Sequence, residues 1–471
     1  MTLHVDWTLE RTDLLYQEDC RCSLGIRNAG ESSARIFPPS LERPKFRILD
    51  VATGAEHLVR SRPGSGVGFS DFDLGPTKRV VLPFGWRALF PDLPPGEYEV
   101  SARVPWQQDS RWAESSPVRI RIRPAAPRNL TIAKGRGPVL HAAWINAASD
   151  PPEVVWSRFG AIAGGGIVQH RRLGAAGHRT APVPSLTADL RSTRVEWVAW
   201  IDGPSLRCEP ILPKRTPTSV PRFALGRADS RILAPVHSAP MDGPDAYPRA
   251  VVSILAGTES QEGWHVDSIE FALEETRLQS RIEGEGPTPV WAHPFVATDG
   301  AQTLALLQQK EAGADLTLWR GLHGPPREAP PSARWMGRLL AATATQVERD
   351  AISGSMLLWE SRARLVVGRW SVDPKKGLSV LDPVELEWPF GEPALTRIQA
   401  GPNGGFAALL LSDEGNATLF RGTHGRPVDA NAILRGFPFE LVFLAGEEPA
   451  LLLAEEGLGF RLALPSGFVL V

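Results

Sequence analysis

Only three of the 471 residues are cysteine, and only three are tyrosine. So few thiols cannot build a disulfide framework, which removes the small stapled scaffolds of the secreted class. The chain has no stretch of about 18 uninterrupted apolar residues, so no helical membrane span is expected. It also lacks a charge excess. Its 51 basic and 53 acidic residues leave a net charge of −2. A dedicated nucleic-acid binder is usually basic, so nucleic acid is not an expected partner. The start, Met1-Thr2-Leu3-His4-Val5-Asp6-Trp7, shows no basic region followed by an apolar core. No signal peptide is expected there, and reduced thiols fit a cytoplasmic location. Arginine greatly outnumbers lysine, a bias we read as that of a GC-rich, bacterial genome.

The usual chemical signatures are missing too. There is no P-loop, H-E-x-x-H or G-x-S-x-G pattern. The run Gly160-Ala161-Ile162-Ala163-Gly164-Gly165-Gly166 lacks the Lys-Ser/Thr that a phosphate cradle would use, and a hairpin is the expected role. The histidines are scattered, with none at ligand spacing from a carboxylate or thiolate. No cofactor, no metal and no enzymatic activity are therefore expected.

What is present is strand pattern. In Cys20-Arg21-Cys22-Ser23-Leu24-Gly25-Ile26-Arg27, alternation puts Cys20, Cys22, Leu24 and Ile26 on one face. The cysteines read as small core hydrophobes and not as a thiolate metal site. Leu3–Leu9, Phe46–Val51, Val80–Phe84, Glu97–Val104 and Val118–Arg123 behave likewise between Gly/Pro/Asn/Asp turns. Short alternating strands with frequent turns indicate a β-sandwich over residues 1–125.

One motif refines this. Leu93-Pro94-Pro95-Gly96-Glu97-Tyr98 fits L-x-P-G-x-Y and resembles the tyrosine corner of immunoglobulin-like and fibronectin type III sandwiches. The resemblance implies a phenol that hydrogen-bonds back to the preceding corner, and a spacer or binding module without catalytic residues. The segment departs from antibody-type domains in having no paired inter-sheet cysteines. The loop Val59–Lys78 is long and Gly/Ser-rich, and its Phe69 and Phe72 are candidate contact residues. The arginines of Arg119-Ile120-Arg121-Ile122-Arg123 share one face. They could meet phosphates, but a solvated outer face is the more ordinary reading.

Pro124-Ala125-Ala126-Pro127-Arg128 reads as a linker into a second region, residues 126–471. Seven short apolar runs follow: Val139–Ile145, Val195–Ile201, Ala250–Leu255, Thr303–Leu307, Leu339–Thr343, Phe406–Leu411 and Leu441–Ala445. Most are succeeded by a polar turn and a second strand. Leu318-Trp319-Arg320-Gly321-Leu322-His323-Gly324-Pro325 recurs as Leu419-Phe420-Arg421-Gly422-Thr423-His424-Gly425-Arg426-Pro427. Self-similarity at long period marks a repeat architecture. A unit of about 35–65 residues with four short strands is similar to a β-propeller blade. The expectation is all-β: an Ig-like sandwich plus a divergent propeller of about seven blades, with six or eight also fitting the uneven spacing. Leu130-Thr131-Ile132 and Gly467-Phe468-Val469-Leu470-Val471 are the expected closing pair, and tryptophans such as Trp156, Trp200, Trp319 and Trp370 the expected packing between blades.

Function follows less directly. Sialidase-type propellers carry Asp-boxes, and Ser412-Asp413-Glu414-Gly415-Asn416-Ala417-Thr418-Leu419-Phe420 has similar letters at shifted positions. A polar hairpin turn is the expected identity. In the echo, Arg320, His323, Arg421 and His424 could be displayed on one face toward an acidic partner, or the Gly-x-His-Gly could build a recurrent turn. The expectation is a non-enzymatic scaffold or adaptor of a bacterial multiprotein system, bound to other proteins. The alternative is a carbohydrate-active propeller, as hydrolase, lyase or lectin.

Overall fold

The computed structural model describes the chain except residues 1–2, 37–45, 58–71, 91–92, 107–110, 135–138, 161–166, 177–182, 187–195, 212–220, 226–229, 234–235, 240–248, 258–262, 273–274, 297–301, 321–330, 347–350, 361–363, 374–376, 402–403, 423–425, 430–436, 444–448, 456–458, 464–468 and 471. Strand dominates, and among the described residues the one α-helix is a single turn, Trp86–Leu89. Two compact units emerge, one built mainly from Met1–Ala126 and the other mainly from Pro127 onward.

The first unit is a β-sandwich. Leu3–Leu9, Arg21–Asn28 and Arg79–Gly85 form an antiparallel three-stranded sheet. The second sheet is centred on Gly96–Trp106, with Val118–Arg123 and Phe46–Asp50 as antiparallel neighbours. Alternation aims one face of each inward. Trp7, Leu24, Ile26 and Phe84 of the first sheet meet Phe46, Ile48, Val100 and Ile120 of the second in one core cluster. Cys20 and Cys22 lie in that cluster as free thiols, and Arg21 and Arg27 point to solvent. The Tyr98 hydroxyl donates to the Pro94 carbonyl at 2.8 Å, so the L-x-P-G-x-Y motif forms the corner bond.

The second unit is a β-propeller. Among the described residues it holds seven four-stranded antiparallel meanders, here blades 1 to 7. Blade 1 is Pro127–Lys134, Val139–Asn146, Glu153–Gly160 and Ile167–Ala175; blade 2 is Val183–Leu186, Glu196–Asp202, Ser205–Ile211 and Arg222–Ala224. Blade 3 is Val236–Ala239, Arg249–Gly257, Gly263–Phe271 and Thr276–Glu285; blade 4 is Pro289–Val296, Gln302–Lys310, Gly313–Arg320 and Ser332–Met336. Blade 5 is Arg338–Gln346, Ile352–Glu360, Arg364–Asp373 and Gly377–Leu386; blade 6 is Leu395–Ala400, Phe406–Leu411, Ala417–Arg421 and Arg426–Asp429. Blade 7 is Phe437–Phe443, Pro449–Glu455, Gly459–Ala463 and Val469–Leu470.

The first strands touch in sequence around the ring. That of blade 1 contacts those of blades 2 and 7, and the contacts continue from blade 7 to 6, 6 to 5 and 5 to 4. The first strands of blades 2 and 3 pair in parallel through Ser185 and Val236. Blades 3 and 4 are linked through Leu233, whose amide donates to the Ser253 carbonyl of blade 3 at 3.1 Å and whose carbonyl accepts from the Ala292 amide of blade 4 at 3.3 Å. Among the described residues the expected closing pair is not seen; Gly467, Phe468 and Val471 lie outside them. Val469–Leu470 pairs with Leu462 and Ala463 of its own blade, and Pro127–Lys134 is the innermost strand of blade 1. Among the described residues, the two ends of the ring meet through contact between innermost strands. The linker also proves shorter than expected, because Pro127 and Arg128 already pair with Asn146 and Ile145 and Ala125 is buried.

Tryptophans fill the gaps between blades. Trp156 and Trp200 share a cluster across blades 1 and 2, and Trp197 packs with Ile254 and Phe271 across blades 2 and 3. Trp264 meets Trp319 edge-on at 6.2 Å across blades 3 and 4, and Trp291 meets Trp370 at 6.3 Å across blades 4 and 5. Edge-to-face rings at this spacing are favourable beyond the area they bury.

Candidate interaction surface

Strand direction gives the propeller two faces. On one lie the ends of every third strand; on the other lie the turns between second and third strands and the crossovers from blade to blade. The echo occupies the first. Leu318 and Leu419 sit on the third strands of blades 4 and 6, opposite Ala305 and Leu409. Arg320 and Arg421 pair with Thr303 and Ala407, in each case the second residue of the second strand. The two copies thus hold the same blade position. Leu419 and Phe420 are fully buried and Leu318 nearly so, so the apolar half of the echo is core. Gly422 has φ +84°, and its amide donates to the Phe406 carbonyl, so a glycine suits this turn. Arg421 is exposed. The side chain of Arg320, and His323 and His424 entirely, lie outside the described residues.

The other sequence candidates fall as follows. Phe69 lies outside the described residues. Phe72 pairs with Ile36 and is half-buried against the sandwich core, less free than its loop suggested, because the segment becomes a short strand. The arginine strand is tied to its neighbours: Arg119 to Glu97 at 2.6 Å and Arg123 to Asp13 at 3.0 Å. That favours the outer-face reading over phosphate contact. Ser412–Asn416 is a turn, closed by the Ser412 amide donating to the Asn416 carbonyl and the Asn416 amide donating to Ser412 Oγ. Among the described residues no group of three or more His, Cys, Asp or Glu is placed to hold a metal.

The crossover face carries features that the sequence did not announce. Successive crossovers each expose a large apolar side chain: Val290 entering blade 4 at 42%, Met336 leaving it at 60%, and Phe390 between blades 5 and 6 at 43%. A β-bulge between Pro289 and Trp291 lets the intervening Val290 turn outward. The Phe390 ring rests on Trp388 at 4.9 Å, and the Trp388 indole N–H donates to the Gly391 carbonyl at 2.6 Å, which fixes the turn that presents Phe390. The only advance signal was their setting, a lone Met or Phe inside Met336-Gly337-Arg338 and Pro389-Phe390-Gly391-Glu392.

Charge surrounds these side chains. Asp315 accepts two bonds from Arg334 at 2.5 and 2.8 Å and lies 2.7 Å from Lys310. The Arg334 hydrogen bonds hold its carboxyl down to about 2, against desolvation and with help from Lys310. Arg338 pairs with Glu392, and Arg364 with Glu360 and Glu385. Blade 3 repeats the blade 4 device: Asp267 on the third strand is clamped by Arg281 on the fourth at 2.7 and 2.9 Å.

No protein-family profile matches the chain, and no curated protein is similar to it. Solved structures are similar at low identity. A mercury-derivative form of the fucose-specific lectin from Aleuria aurantia has 10% identity and a TM-score of 0.39, over 72% of this chain and 95% of that one. BBS1N in complex with ARL6DN has 13% identity and a TM-score of 0.35, over 73% and 96%. A mannose phosphorylase from Leishmania mexicana in complex with phosphate ion has 10% identity and a TM-score of 0.26, over 64% and 82%. No helix among the described residues is long and apolar enough to cross a membrane.

Proposed function

We propose that the protein is a non-enzymatic scaffold or adaptor of a bacterial, cytoplasmic multiprotein system, in which an Ig-like sandwich and a propeller each offer a contact surface. The observation that carries this reading is the exposure of Val290, Met336 and Phe390 at three consecutive crossovers. Exposed apolar side chains ringed by charge have the composition of a protein-contact patch, with an apolar centre and a polar rim. The corner bond of Tyr98 supports the Ig-like reading of the sandwich. Arg320, His323, Arg421 and His424 of the echo, with Phe69 and Phe72 of the N-terminal segment, are the proposed secondary contacts.

The test is chemical cross-linking in the source cells with the tagged full chain, read by quantitative mass spectrometry. One or a few proteins should be enriched reproducibly, with cross-links that map to defined faces. Failure to enrich any protein above an untagged control would sink the scaffold reading.

A further inference from the structure

Among the described residues, the charges on the crossover face of blades 4 to 6 are not balanced. Four described bases there are engaged: Lys310 and Arg334 by Asp315, Arg338 by Glu392, and Arg364 by Glu360 and Glu385. Nearby Arg231 donates to the Pro289 carbonyl at 2.8 Å. That carbonyl is neutral and leaves the Arg231 charge in place, yet among the described residues the carboxylates still outnumber the bases. Glu285 ends the last strand of blade 3, Glu311 lies in the turn of blade 4, Glu387 in the crossover to blade 6, and Asp413 and Glu414 in the turn of blade 6; all five are exposed. None of the five belongs to an ion pair among the described residues. This charge lies close to the apolar side chains along the fold: Glu285 five residues before Val290, Glu387 three before Phe390, and Glu311 two before Gly313, the cross-strand partner of Met336. Val290 lies on the innermost strand of blade 4 and Met336 on its outermost, three strand spacings or about 14 Å apart, a span that an extended or helical segment covers.

We propose that this face docks a polypeptide segment of a partner protein in which Lys or Arg residues are interleaved with large apolar ones. The proposal rests on the scaffold reading and supplies the chemistry of its partner. Apolar side chains of the segment would cover Met336 and Phe390, the most adaptable and the only aromatic of the three. Its cations would meet Glu285, Glu311 and Glu387, steering encounter and excluding acidic competitors. An acidic segment would face uncompensated carboxylates, and a purely apolar one would leave them unpaired.

The test uses the full chain and two fluorescent twelve-residue peptides of alternating Lys and Leu/Phe, or Glu in place of Lys. Fluorescence anisotropy should show the basic peptide binding at least about tenfold tighter than the acidic one. Its affinity should fall as salt is raised, because screening shortens the reach of surface charge to about 10 Å at 0.1 M. M336S/F390S should weaken the basic peptide about tenfold with its salt dependence kept. E285K/E311K/E387K should weaken it and flatten that dependence. Circular dichroism of both variants, whose changes are all at exposed positions, keeps misfolding separate from lost binding. Equal binding of both peptides, or variants that bind as the unaltered chain does, overturns the proposal. So does self-association of the unaltered chain that M336S/F390S abolishes in sedimentation, since the occupant would then be a second copy. Any of these outcomes leaves the scaffold reading to the cross-linking result, which does not depend on this face.

Discussion

The indole of Trp370 fills the space that a side chain at Gly354 would need. The two residues are cross-strand partners in blade 5. A Cβ placed on Gly354 would fall within the indole ring's van der Waals envelope. Trp370 is fully buried and reaches across to Trp291 of blade 4, so the glycine lets one blade carry a tryptophan that joins two. Gly354→Ala is expected to cost about 3 kcal/mol, at the upper end of overpacking penalties, because a rigid ring and not a flexible chain must yield. Trp370→Ala should cost about 3–5 kcal/mol through the cavity it leaves. Urea denaturation of the full chain measures both. A Gly354→Ala variant as stable as the original would show that the blade can shift to admit a methyl group.

The corner bond of the sandwich gives a second, smaller effect. Tyr98→Phe removes the hydroxyl that donates to Pro94 at 2.8 Å and leaves the buried ring in place. The expected loss is about 1 kcal/mol, the net worth of one hydrogen bond. Burial first, and then the charge of Asp50, raise the Tyr98 pKa above its usual value of 10.0. A raised pKa in the folded state means that the protonated phenol contributes stability below the unfolded value, and that this is lost as pH rises through the folded one. Above pH 10 the original should therefore lose stability relative to Tyr98→Phe. Thermal melts of the two proteins between pH 8 and 11 check both statements.

How much of this was legible in the sequence follows from where each strand sits. Leu3–Leu9 and Val118–Arg123 match their strands to the residue, because one sheet face is buried and the other wet, which leaves clean alternation. In the propeller, five of the seven apolar runs fall on second strands, such as Val139–Asn146 and Phe406–Leu411, which are buried on both faces. The runs Leu339–Thr343 and Leu441–Ala445 instead fall on first strands of blades 5 and 7. Fourth strands stayed hidden: Thr276–Glu285 is mostly polar because its outer edge meets water, and its arginines mark it only once their acid partners are placed. The closing geometry was invisible for a similar reason, since contact between innermost strands leaves no pattern that differs from any other apolar strand. Val290, Met336 and Phe390 come to one face only when the ring sets three crossovers on the same side.

The thiols provide a prediction about access. Cys20, Cys22 and Cys208 are all buried and unbonded. Burial, with the charge of Glu209, pushes the Cys208 thiol well up; its contact with Cys20 and then burial do the same for Cys22. Only the thiolate reacts quickly, so Cys22 and Cys208 should resist a thiol reagent at pH 8 and react in denaturant. A colorimetric thiol titration with and without guanidinium reads this directly. Rapid labelling of native Cys22 or Cys208 would contradict the placement.

Asp315 sets an acid limit on the propeller. Its carboxyl is held at about 2 against an ordinary value of 3.8, chiefly by the Arg334 hydrogen bonds, with Lys310 adding to them. A folded pKa below the unfolded one means that the stabilisation is fully present above about pH 4 and is lost as pH falls through 2. The carboxylate is largely buried, but Arg334 is 59% exposed and Lys310 41%, so water and salt weaken the pair. After that discount the contribution is about 1–2 kcal/mol. Asp315→Asn keeps the shape and removes the charge. It should be less stable than the original at pH 6 by about that amount, and the gap should narrow on acidification from pH 4 toward pH 2. Asp267, clamped by Arg281 at the matching position of blade 3, still contributes in both proteins, so the difference between them isolates blade 4. Parallel denaturation curves at pH 6, 4 and 2.5 decide it. A gap that stays constant with pH would mean that Arg334 and Lys310 gain nothing from the charge on Asp315.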